Sequence, residues 1–75
     1  MEPTVMVHKA NQITLFFASY PRDEAIAGIA DHLTRFWERR MRRQIIGYVA
    51  TGGDGLHELA IEAVKRLATP APSTT

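Results

Sequence analysis

Three histidines, His8, His32 and His57, are the side chains best suited to proton transfer or metal ligation in this sequence. Their spacing favours neither. Each falls on a different expected helix, and no His-x-x-x-His pair sets two imidazoles on one helical face. The chain has no cysteine, which excludes disulfides, iron–sulfur ligation and thiolate zinc sites. Gly52-Gly53-Asp54-Gly55 resembles part of a loop that cradles phosphate ahead of a helix. It lacks the Lys-Ser/Thr of a P-loop, and the Asp54 carboxylate would repel phosphate. A helix–helix turn is the better reading. Asp23, Glu24, Glu58 and Glu62 suit helix ends, where carboxylates offset the dipole, and need no general-acid role. We therefore expect no catalytic, cofactor-binding or metal-binding residue.

Two other groups are better suited to recognition. Arg35, Arg39, Arg40, Arg42 and Arg43 lie close together, as in segments that contact nucleic acid. On a helical wheel continued from the preceding residues, Arg35, Arg39, Arg42 and Arg43 point away from the apolar stripe and read as a solvated face. Arg40 falls within the stripe, between Trp37 and Met41, where its guanidinium should meet a carboxylate, a carbonyl or the Trp37 ring. Phe16-Phe17 and Phe36-Trp37 are core residues by default. However, neighbours in a helix point about 100° apart, so both members of a pair cannot face one narrow seam. Some aromatic surface should spill outside the bundle, where a partner would gain about 1.5–3 kcal/mol by covering each ring.

Helical periodicity dominates the elements that carry these groups, and strand alternation is nearly absent. The expected fold is all-α, a small three- to four-helix bundle occupying residues 1–68, with a flexible C-terminal tail at 69–75. Expected helices run over about 4–19, 22–37, 40–51 and 55–68, the middle two being continuous or joined near Glu38–Arg39. Thr4 is the expected first N-cap. On the first helix Val5, Met6, Ile13, Phe16, Phe17 and Tyr20 form the apolar arc, opposite His8, Asn11, Gln12 and Leu15. Tyr20-Pro21 breaks that helix. Ile26, Ile29, Ala30, Leu33, Phe36 and Trp37 form the next stripe, with Met41, Ile45, Tyr48 and Val49 in phase with it. Gly52-Gly53 ends this run, and Asp54 is the expected N-cap of a last helix with Leu56, Leu59, Ala60, Ala63, Val64 and Leu67 on its inner face.

Seventy-five residues make one domain. At this size a lone core supplies about 3–5 kcal/mol, so small folds lean on a staple, self-association or a partner. The formal charge of +1 gives no whole-protein attraction to nucleic acid or membrane. Met1–Ala10 lacks a basic segment followed by an apolar run, so no signal peptide is expected. No stretch approaches the roughly 18 apolar residues of a membrane span. These features fit a soluble, cytoplasmic protein that docks onto another.

His8-Lys9-Ala10-Asn11-Gln12-Ile13, Phe16-Phe17, Ala25 to Leu33 and Phe36-Trp37-Glu38-Arg39-Arg40-Met41-Arg42 together follow a family pattern, extending with looser spacing to Gly52-Gly53-Asp54-Gly55-Leu56. Over roughly residues 5–67 the chain resembles the delta subunits of NAD-dependent, molybdenum-containing formate dehydrogenases. It departs in having Glu38-Arg39 where relatives often carry Asp-Pro. The resemblance implies a non-catalytic accessory subunit of a cytoplasmic complex that oxidises formate to carbon dioxide and reduces NAD. The molybdenum cofactor, iron–sulfur clusters and FMN would belong to larger subunits, with no cofactor in this chain. It also implies docking, foremost on the molybdenum-bearing subunit, in a stabilising or assembly role. The motif residues Asn11, Gln12, Phe16, His32, Phe36, Trp37, Arg40 and Met41 are the candidate partner-binding set. The alternative is a small helical nucleic-acid-binding or self-associating module using the Arg35–Arg43 cluster.

Overall fold

The computed structural model describes residues 1–68, and every regular element in them is a helix. The tail expected at 69–75 lies outside the described residues. Pro3 opens α1, Pro3–Phe17, in the first turn, where a missing N–H and a fixed φ cost nothing. Thr4, the expected N-cap, thus lies inside the helix, and the Glu2 carbonyl accepts the Met6 N–H at 2.9 Å. Residues 18–21 turn the chain into α2, Arg22–Phe36, with Asp23 and Glu24 in its first turn.

α2 and α3, Arg39–Ala50, are separate helices. Trp37 (φ −95°, ψ 137°) and Glu38 (φ −63°, ψ 156°) are extended, so the run breaks without a proline. Arg42 reaches back across the break: its Nη1 donates to the carbonyls of Thr34, at 3.0 Å, and Trp37. A side chain expected on a solvated face therefore caps the end of α2. A wheel continued from α2 still places Met41, Ile45, Tyr48 and Val49 inward, as they are, but the break moves Arg40 and Arg42 from their expected places.

α3 ends at a pair of glycines. The Gly53 N–H bonds back to the Tyr48 carbonyl and the Gly52 N–H to that of Val49, both at 3.0 Å, with positive φ at Gly52 and Gly53. This is the left-handed cap that glycine alone adopts without strain. α4, Glu58–Ala68, starts later than the expected residue 55. Asp54 is not its cap; its carbonyl accepts the Tyr48 hydroxyl at 2.6 Å. His57 caps instead, Nδ1 accepting the Leu59 N–H at 3.0 Å.

The core lies where α2 and α4 pack together, with α1 and α3 against them. Ile29, Leu33, Ile45 and Val64 are fully buried, and Trp37 closes the end of the α2 stripe. Much of the remainder is alanine: Ala10, Ala25, Ala30, Ala60 and Ala63 are all buried. Small side chains let helix axes approach closely. Each removes little apolar surface, about 0.8 kcal/mol per methyl-sized group, against about 1.5–3 kcal/mol for a large side chain.

α1 differs most from its expected face. Its buried row is Met6, Ala10 and Thr14, with Val7, Ile13 and Phe17 flanking. Val5, Phe16 and Tyr20, expected within the arc, are exposed. Thr14 is buried because its hydroxyl is satisfied locally by the Ala10 carbonyl at 2.9 Å. The close seam selects small residues, which a search for large apolar side chains passes over.

Candidate partner-docking face

The outer surface of the α1–α2 hairpin carries most of the exposed aromatic side chains. Phe17, at the end of α1, lies over Gly28 in the middle of α2: a Cβ there would stand 2.6 Å from Phe17 Cε1. Phe16 meets Phe17 edge-on at a centroid distance of 5.1 Å, and Tyr20 lies 5.7 Å on the other side. Gly28, His32 and Phe36 are successive i, i+4 positions, each about 6 Å further along α2. The His32 and Phe36 rings stack at 4.7 Å with a 41° tilt. The Phe16, Phe17 and Tyr20 cluster and the His32–Phe36 pair therefore lie along the hairpin as one aromatic ridge in two parts, with Gly28 under the first.

Part of that ridge is open to water. Phe16 is 70% exposed and Phe36 71%, and Leu15, next to Phe16 in the chain, is 65% exposed. Each exposed phenylalanine has a sequence neighbour turned inward, half-buried Phe17 and buried Trp37. For Phe16 and Phe17 the 100° offset between adjacent helical positions has this outcome, and Trp37 turns inward where the chain leaves α2.

The candidate partner-binding residues do not all share this surface. Phe16, His32 and Phe36 do. Gln12 is exposed on α1, and Arg40 is exposed at the start of α3. Arg40 meets no carboxylate, carbonyl or indole among the described residues, because the α2–α3 break takes it off the α2 stripe. Met41 is half-buried against the core, and Trp37 belongs to the core. Asn11 is committed within the chain: Nδ2 donates to the Gly55 carbonyl at 3.0 Å and Oδ1 accepts the His57 N–H at 2.9 Å. That amide ties α1 to the loop before α4. Gly28, Leu15 and Tyr20 also belong to this surface but are not in the partner-binding set expected from the sequence, which has Tyr20 in the inner arc of the first helix and Leu15 opposite it. The signal for Gly28 was a glycine in a helix interior, which costs stability unless something packs on it.

The arginine cluster is divided. Arg35 pairs with Asp31 at 3.0 Å, Arg42 caps α2, and Arg39, Arg40 and Arg43 are exposed. The histidines are equally dispersed: His8 on the α1 surface, His32 against Phe36, His57 at the α4 cap. Among the described residues no group of three His, Asp or Glu side chains gathers to hold a metal ion. A groove of about 240 Å³ between α2 and α4 is lined by Ile26, Glu62, Lys65 and Arg66. It is small and largely charged beside the apolar pockets that hold small molecules. No described helix is long and apolar enough to cross a membrane.

Residues 6–64 match the model of the family described as the NADH-dependent formate dehydrogenase delta subunit, FdsD. The chain belongs to that family. No curated protein and no solved structure shows significant similarity to it. The matched region of this delta-subunit family member runs from Met6, at the base of the α1 seam, to Val64, in the centre of α4. It contains the whole aromatic ridge and the α2–α3 corner.

Proposed function

We propose that this delta-subunit family member is a non-catalytic accessory subunit of a cytoplasmic NAD-dependent formate dehydrogenase. It docks onto the larger subunits, foremost the one bearing molybdenum, and stabilises the assembly or its formation. Formate oxidation and NAD reduction take place on those subunits, with their molybdenum cofactor, iron–sulfur clusters and FMN.

The observation that carries this reading is the exposure of Phe16 and Phe36 on a bundle whose core is rich in alanine. Covering either ring is worth about 1.5–3 kcal/mol, a large part of the margin of so small a domain. In this reading exposed Phe16, Phe36, Gln12 and Arg40 touch the partner directly, with half-buried His32 stacked against Phe36. Asn11, Trp37 and Met41 hold the shape of the chain that presents them.

Co-purification tests this. A tagged copy expressed in its native cell should bring down the larger formate dehydrogenase subunits, and deletion of the chain should lower the amount of assembled enzyme. Recovery of the chain alone, with undiminished formate dehydrogenase in the deletion strain, would overturn the proposal.

A further inference from the structure

Charge placement at the α2–α3 corner runs against the chain's own stability. α2 and α4 obey the helix dipole, with Asp23 and Glu24 or Glu58 in the first turn and Arg35 or Lys65 and Arg66 in the last. α3 does the opposite. It begins with Arg39 and Arg40, has no acidic residue in its first turn, and adds Arg43 one turn on from Arg39. Glu38, at the N-cap, makes no capping bond with its side chain.

These cations are not neutralised internally. Among the described residues Arg39, Arg40 and Arg43 have no hydrogen-bond or ion-pair partner, whereas Arg35 has Asp31 and Arg42 has two carbonyls. The unpaired charges therefore add to the positive end of the α3 dipole. They also follow Phe36 directly in the chain, across the two extended residues that end α2. One corner of the chain thus carries an exposed aromatic ring at the end of α2 and three exposed arginines at the start of α3, against the single carboxylate of Glu38 between them.

We propose that this corner docks on an acidic surface of the partner protein, with carboxylates facing Arg39, Arg40 and Arg43 around an apolar pocket that takes Phe36. This rests on the accessory-subunit reading and adds the chemistry of the partner's surface to it. Charge complementarity selects the occupant: a second copy of this chain would bring the same arginines face to face. Phe36 is a neutral ring with no phosphate to meet, so its exposure at the same corner of the chain as the arginines favours a folded protein surface over a nucleic-acid backbone.

The test is the affinity of the chain for formate dehydrogenase purified from a strain lacking it, measured from about 50 to about 300 mM salt. Wild type should bind more weakly as salt rises. The triple variant Arg39→Glu, Arg40→Glu, Arg43→Glu should lose at least about tenfold in affinity at low salt and most of its salt dependence. Its thermal midpoint in isolation should equal or exceed wild type, because glutamates suit the start of α3. A fall in binding then has no origin in unfolding. Wild-type affinity and salt slope in the triple variant would overturn the acidic-surface assignment alone. No binding by wild type at any salt would overturn the accessory-subunit reading together with it. Tight, salt-sensitive binding of wild type to duplex DNA, abolished in the triple variant while enzyme binding persists, would reassign the corner to nucleic acid.

Discussion

Phe17 and Gly28 are fitted to one another: the ring lies where a Cβ on residue 28 would be, 2.6 Å from Cε1 and 2.7 Å from Cδ1. This contact brings the end of α1 onto the middle of α2 and sets the ridge on which Phe16 and Tyr20 lean. Gly28→Ala gains about 1 kcal/mol of helix propensity and loses about 1–3 kcal/mol to overpacking. The expected net result is a lower thermal midpoint, with shifted ring resonances of Phe16, Phe17 and Tyr20 by NMR.

Gly47 supplies the opposite sign. It stands in the interior of α3, exposed, with nothing within 4 Å of where its Cβ would be. Gly47→Ala should stabilise the isolated chain by about 0.8–1.0 kcal/mol, raising its midpoint by about 4–8 °C. Calorimetry on both alanine variants checks the pair. The same direction of change in each would contradict the packing described for residue 28.

Asn11 should act on folding. Asn11→Ala removes both bonds that hold the loop before α4, at a cost of about 1–2 kcal/mol. Asn11→Asp keeps the acceptor for the His57 N–H but faces the Gly55 carbonyl with a second acceptor, so it should not restore wild-type stability. Urea denaturation of the isolated chain reads this directly. Unchanged midpoints would return Asn11 to the set that touches a partner.

Arg42 and Arg43 are adjacent and should behave differently. Arg42→Ala frees the carbonyls of Thr34 and Trp37 at the end of α2 and should destabilise the chain by about 1–2 kcal/mol. Arg43→Ala, on the exposed side, should stay within about 0.5 kcal/mol of wild type. Trp37, the single tryptophan, reports the corner by fluorescence during unfolding.

Much of this arrangement was legible in the residues. The inner faces of α2 and α4 follow from the spacing of Ile26, Ile29, Ala30 and Leu33, and of Leu59, Ala60, Ala63 and Val64. Both helices bury conventional apolar positions on one side. The α1 seam followed only at Met6, Ile13 and Phe17, because its buried row also runs through Ala10 and Thr14, which do not stand out in a pattern of large apolar side chains. The inner face of α3 followed at Met41, Ile45, Tyr48 and Val49, but the break at Trp37 and Glu38, two extended residues, is not revealed by periodicity. Arg42 was misplaced for that reason and Arg40 taken for a core-edge residue. Asn11 meets its partners in a loop far along the chain, a pairing only the folded topology creates. The adjacent aromatic pairs were informative because backbone geometry forces one member outward.

The most direct test of the docking face is the double variant Phe16→Ala, Phe36→Ala, measured twice. Its thermal midpoint in isolation should stay close to that of wild type, since both rings are mostly in water. Its affinity for formate dehydrogenase lacking this subunit should fall by at least about a hundredfold, the lower end of what covering two rings is worth. Undiminished affinity would contradict the claim that a partner covers this ridge, and a collapsed midpoint would show that the rings serve the bundle itself.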